Sequence, residues 1–174
     1  MDYVSYLDNV KQMIKDLKAM CTGLGLANTG DEYKIISELF TYKFLNDKVQ
    51  KEYEENHEEG ESYAEYIEFV DSATAKIPEN CTIEYLWSIQ SNERINEILD
   101  TALVTISEEN ADVYSVATDN DNRKPLFEPL SSYIRDPKKE YELAVRSLNI
   151  LHEYQFDGIS VSYTHLTLPT MAVV

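Results

Sequence analysis

The stretch Gly30-Asp31-Glu32-Tyr33-Lys34-Ile35-Ile36-Ser37-Glu38-Leu39-Phe40-Thr41-Tyr42-Lys43-Phe44-Leu45-Asn46-Asp47 decides the fold. A polar turn leads into an aromatic-rich helix. Apolar residues fall at Tyr33, Ile36, Leu39, Phe40 and Phe44, and again at Ile35, Tyr42, Leu45 and Val49. That 3.6-residue period makes a stripe wide enough to face the core of a helical bundle. The helix is expected to run from about Asp31 to Tyr53.

Upstream, Leu7, Val10, Ile14, Leu17 and Cys21 share a face of a first helix from about Tyr3 to Met20, with Asp2 as its cap. Gly23-Leu24-Gly25 and Asn28-Thr29-Gly30 punctuate its end. Downstream, nine acidic residues from Glu52 to Asp71, with Lys51 the only fixed positive charge beside them, read as a solvated, mobile connector. A third helix is expected near Ser62 to Ala75, with Tyr63, Tyr66, Ile67 and Val70 inward. A short one, Ile83 to Ile89, carries Trp87. A longer one, about Asn92 to Ile106, has Ile95, Ile98, Leu99, Ala102, Leu103 and Ile106 on one stripe. Near 113–127 the period fades. Val113-Tyr114-Ser115-Val116 reads as either a short strand or an extended loop, Asp119-Asn120-Asp121-Asn122 as a turn, and Leu126 to Tyr133 as a short helix. Pro137 suits the first turn of a last helix to about Tyr154, with Tyr141, Ala144, Val145, Leu148 and Leu151 inward. The expected class is all-α, an antiparallel helical bundle with a short β or extended insertion near 113–127.

Composition narrows the function. A net charge of −17 argues against a surface that attracts nucleic acid as a whole. No run of about 18 apolar residues marks a membrane span, and Met1-Asp2-Tyr3-Val4 lacks the basic and apolar regions of a signal peptide. Cys21 and Cys81 read as separate buried thiols. The expected compartment is cytoplasmic.

The segment Asp31 to Lys48, with its polar turn, Asp-Glu-Tyr-Lys helix start, Leu39-to-Leu45 run and closing Asn46-Asp47, resembles the N-terminal helical domain of the modification (M) subunit of type I restriction-modification systems. A second part of the likeness runs from Lys124-Pro125-Leu126-Phe127-Glu128 through Phe156-Asp157. Those subunits are adenine-N6 DNA methyltransferases. The resemblance implies an intact protein that transfers a methyl group from S-adenosylmethionine to adenine. It would act with specificity and restriction subunits on DNA, its helical domain packing on its methyltransferase domain and helping to enclose the duplex. The family's Gly-rich strand-to-helix turn and its Asn/Asp-Pro-Pro-Tyr/Phe loop are not found in this sequence. Gly23-Leu24-Gly25 follows a helix, and Asp136-Pro137-Lys138-Lys139 lacks the second proline and the aromatic residue. Residues 1–160 are therefore expected to be the helical domain, cut before the catalytic part, with no catalytic, cofactor or metal site of their own.

Val161-Ser162-Tyr163-Thr164-His165-Leu166-Thr167-Leu168-Pro169-Thr170 matches, residue for residue, a translation of the transposon-end adapter GTC TCT TAT ACA CAT CTG ACG CTG CCG ACG. Residues 161–174 are expected to be a non-native tail that contributes nothing to folding.

Lys11, Lys15 and Lys18 line one edge of the first helix, and Lys34, Lys43 and Lys48 lie on the second. Lys11, Lys15, Lys18, Lys34 and Lys43 are candidates for contacts to DNA phosphates. Their other reading is a solvated flank beside Asp8 and Asp16. Tyr42, Phe44 and Trp87 are candidates for a docking surface toward the missing methyltransferase domain. Glu54-x-x-His57 has the spacing of one half of a helical di-iron site, without a second copy. His152 flanks the last apolar stripe as a surface or packing residue. The rival reading is a non-enzymatic acidic helical protein, either a DNA mimic or a protein-protein interaction module.

Overall fold

The computed structural model describes residues 2–71, 75–114, 116–117 and 123–156. The expected turn at 119–122 and the tail 161–174 lie outside them. The helices are α1 (Tyr3–Gly23), α2 (Gly30–Asn56), α3 (Tyr63–Phe69), α4 (Ile83–Ser88), α5 (Ile95–Glu109), α6 (Ala111–Tyr114) and α7 (Pro137–Glu153). Single 3₁₀ turns occupy Glu79–Cys81 and Leu130–Tyr133. The class is all-α. Its β content among the described residues is one antiparallel ladder, β1 (Val116–Ala117) with β2 (Arg123–Lys124), in the register Val116 to Lys124 and Ala117 to Arg123. The sequence placed extended chain at Val113 and Tyr114. Those residues instead form the helical turn α6, whose Tyr114 N–H donates to the Asn110 carbonyl.

Local signals set the helix ends. Asp2 caps α1 by accepting from the Ser5 N–H at 2.8 Å. At its far end the Leu26 N–H reaches the Cys21 carbonyl and the Gly25 N–H reaches that of Thr22, with Gly25 at φ 75°. This is the paired C-terminal closure that needs a left-handed residue. The buried face of α1 is Tyr6, Met13, Leu17, Met20 and Cys21. It sits one position round from the expected stripe, because α1 packs against both α2 and α7. Leu7, Val10 and Ile14 line the edge of that contact, half-buried.

α2 departs most from expectation. Rather than showing one apolar stripe, it is covered on all sides: from Glu38 to Asn46 every residue but Thr41 is buried. A helix surrounded in this way carries apolar residues around its whole circumference. Thr29 caps it by accepting from the Glu32 N–H, while the Glu32 carboxylate accepts from Asn28 N–H.

The acidic connector is also corrected. α2 runs on to Asn56, and Ser62 and Glu65 form a reciprocal capping box that starts α3. Gly60, at φ 86°, makes the turn between them. Tyr53 stacks on His57 at 4.4 Å and meets Tyr63 and Tyr66 edge-on at 5.3 and 5.4 Å. Its hydroxyl donates to the Glu61 carbonyl at 3.0 Å. The carboxylates therefore decorate an ordered helical arm. α3 is shorter than expected and ends at Phe69, which is 79% exposed.

α7 packs on α1, α4 and α5 through Leu143, Ala144, Ser147, Leu148 and Leu151. Tyr141, expected to point inward, is exposed, and Val145 is half-buried. Leu143 and Ser147 take the inward places instead. No described helix is long and apolar enough to cross a membrane.

Candidate functional site

Four polar residues of α2 hold later parts of the chain. Tyr42 donates its hydroxyl to the Cys81 carbonyl at 2.6 Å, in the turn before α4. The Asn46 side-chain oxygen accepts from the Ile83 N–H at 3.0 Å, at the start of α4. Asp47 accepts from the Phe156 N–H at 2.9 Å, beyond the end of α7. Glu38 accepts from the Glu128 N–H at 2.7 Å and from the Tyr133 hydroxyl at 2.9 Å. One buried hydrogen bond contributes only about 1 kcal/mol net, but an abandoned buried partner costs more. The four anchors thus fix three later stretches relative to α2: 81–83, 128–133 and Phe156. Asn110 acts in the same way from α5: its amide clamps the Lys76 backbone through both N–H and C=O, each at 2.7 Å.

Glu38 is the chemically unusual member. Ile35, Glu38, Tyr42, Leu45 and Val49 follow heptad spacing and all are buried. Glu38 is therefore an acid in an apolar row, with 9% of its surface exposed. It lines an open cleft of about 420 Å³, walled by Lys34, Lys124, Pro125, Leu126 and Tyr133. One carboxyl oxygen takes both hydrogen bonds, and the other, Oε2, is buried without a partner. Burial pushes its pKa up to about 7; the hydrogen bonds from Glu128 and Tyr133 pull the other way, and the charges of Glu128 and Asp100 add to the rise. A carboxyl poised in this way is a strong acceptor with capacity to spare. The heptad row was the signal in the sequence that could have singled it out.

The expected phosphate contacts divide. Lys11, Lys15, Lys18 and Lys34 are exposed. Lys43 is not: its side chain is 4% exposed, its ammonium pairs with Asp47 at 2.9 Å and lies 5.7 Å from the Phe156 ring centre. A cation held there by an internal partner has no access to a phosphate. Lys34 is 6.0 Å from the ring centre of Tyr133, on the wall of the Glu38 cleft.

The expected docking residues are corrected in the same way. Tyr42 is 0% and Phe44 6% exposed, because α2 is covered all round. Trp87 is half-buried. His152 stacks on it at 3.7 Å with parallel planes, and Asn149 accepts its indole N–H at 3.1 Å. The imidazole in turn reaches Glu84 at 2.9 Å. The exposed aromatic residues include Phe69, Tyr3, Tyr33, Tyr85 and Tyr141.

Cys21 and Cys81 are free and buried, and burial pushes both thiols up to about 11. His57 sits with its Nδ1 2.7 Å from the Tyr53 carbonyl. Among the described residues no group of three or more His, Cys, Asp or Glu could hold a metal ion. Asp136 of the Asp-Pro-Lys-Lys sequence caps α7 by accepting from the Lys138 N–H at 3.1 Å.

Searches against protein-family profiles, curated proteins and solved structures return no match for this chain.

Proposed function

We propose that residues 2–156 form the N-terminal helical domain of a type I modification subunit, a docking module for an adenine-N6 DNA methyltransferase. The supporting observation is the role of α2. The segment Asp31 to Lys48, on which the resemblance rests, lies in the buried helix whose Glu38, Tyr42, Asn46 and Asp47 anchor three later segments. The likeness therefore falls on residues that specify a whole domain. A chance match on a solvent-facing helix would have no such consequence. In this reading another domain binds S-adenosylmethionine and transfers the methyl group. This one supplies a rigid surface for that domain, for the specificity and restriction subunits and for enclosing DNA.

A second reading is favoured by the acidic arm. Glu54, Glu55, Glu58, Glu59, Glu65 and Glu68 are exposed on ordered backbone, as a DNA mimic requires. Two titrations separate the readings. In the docking reading, calorimetry of the chain with S-adenosylmethionine gives no binding heat, and the chain does not displace DNA from unrelated DNA-binding enzymes. Micromolar binding of the cofactor would contradict the docking reading, and displacement of DNA would establish the mimic.

A further inference from the structure

We propose that the cleft over Glu38 receives a basic side chain, arginine or lysine, presented by a partner protein, with a cationic N–H donating to the free Oε2 of Glu38. The inference rests on reading the chain as a docking module and names one contact of that docking.

Three observations carry it. The first is the orphaned oxygen. Glu38 is nine-tenths buried, yet Oε2 has no hydrogen-bond partner, while Oε1 already serves Glu128 and Tyr133. A buried acceptor without a donor is costly, so a ligand that brings one gains that cost back as affinity.

The second is the sign of the local field. Glu128 and Asp100 both act on Glu38, and Glu128 and Asp31 act on Tyr133. Two lysines, Lys34 and Lys124, line the cleft, and neither gives Oε2 a donor. Four acids, Glu38, Glu128, Asp100 and Asp31, against two flexible lysines favour a cation over a carboxylate or phosphate at the floor.

The third is the shape and chemistry of the walls. Tyr133, Pro125 and Leu126 offer apolar surface to a methylene stem while the head stays polar. The Tyr133 ring already has the Lys34 ammonium 6.0 Å from its centre, so it can face a cation. Lys34 is exposed and would swing aside for the incoming group. A volume of about 420 Å³ leaves room for a long side chain.

The test uses the full chain at about pH 8, where the carboxylate form dominates. Blocked tripeptides carrying one arginine, one lysine or one citrulline are titrated while the Glu128 and Tyr133 backbone amides are followed by NMR. The arginine or lysine peptide should saturate in the millimolar range, and citrulline, which keeps the shape without the charge, should bind at least about tenfold more weakly. Glu38→Gln should abolish saturation with the rest of the spectrum unchanged. Lys34→Ala, which removes one of the two cleft lysines, should tighten binding severalfold. Equal binding of citrulline, unchanged binding to Glu38→Gln or weaker binding to Lys34→Ala would overturn the proposal. Spermidine binding more tightly than either basic peptide would also overturn it, in favour of a free polyamine. If the peptides fail while the chain still associates with a methyltransferase domain, this contact is wrong and the docking reading stands. Failure of that association is instead a failure of the docking reading.

Discussion

The carboxylate of Asp47, midway along α2, accepts the backbone N–H of Phe156 at 2.9 Å, joining positions 109 residues apart. The same oxygen takes the Lys43 ammonium at 2.9 Å. Phe156 lays its ring against Tyr6 at 5.5 Å and Phe40 at 6.2 Å. One acid thus neutralises a buried cation and pins the segment after α7 across α1 and α2.

Asp47→Ala should therefore be costly. It leaves Lys43 buried without its partner, and removing one member of such a pair costs about 3–5 kcal/mol. Urea unfolding checks this, and a cost under about 1 kcal/mol would place the pair among ordinary surface bridges.

Phe40→Ala tests the packing beneath that clasp. Phe40 is 5% exposed and faces Phe156. Loss of a buried ring typically costs about 3–5 kcal/mol. A change below about 1 kcal/mol would show that the α1–α2 contact does not depend on this ring.

Glu38 makes stability depend on pH. Its folded pKa, about 7, lies above its ordinary 4.5. The protonated form is thus favoured by folding, and the contribution is complete below the unfolded value. It is lost as pH rises from about 4.5 through about 7. Glu38→Gln mimics the neutral acid and escapes that loss. The stability of the variant minus that of the parent should rise by about 3 kcal/mol between pH 4.5 and 8, because each pH unit between the unfolded and folded pKa is worth ~1.4 kcal/mol. Chemical unfolding at several pH values measures it. A pH-independent difference would mean that Glu38 titrates as an ordinary exposed acid.

Tyr53 organises the acidic arm, since its ring touches His57, Tyr63 and Tyr66. Tyr53→Ala should lower amide-exchange protection in Tyr63–Phe69 by at least about tenfold and leave α5 and α7 unchanged. Equal protection in both proteins would show that the capping box at Ser62 holds the arm without the aromatic cluster.

The sequence was legible wherever a local rule dominates. Asp2 caps α1 and Pro137 opens α7 as expected, and of the stripe Ile95, Ile98, Leu99, Ala102, Leu103 and Ile106 all but the half-buried Ile98 are buried. It was misleading where tertiary neighbours decide. Periodicity counts faces but not how many are covered, so the all-round burial of α2 hid Tyr42, Phe44 and Lys43 from any partner. Charge alone made the Glu-rich region a loose connector. The tyrosines spaced between those acids carry the packing that orders it. Glu38 was overlooked because an acid in a helix is ordinarily solvated, and only its heptad neighbours mark it as buried.

We propose that this helical domain docks on a methyltransferase domain. Sedimentation velocity of the chain mixed with a type I modification subunit trimmed of its own helical domain tests it most directly. The expected result is a one-to-one complex of micromolar or tighter affinity that forms without DNA. Two independent boundaries at all concentrations, for trimmed subunits from several systems, would contradict it.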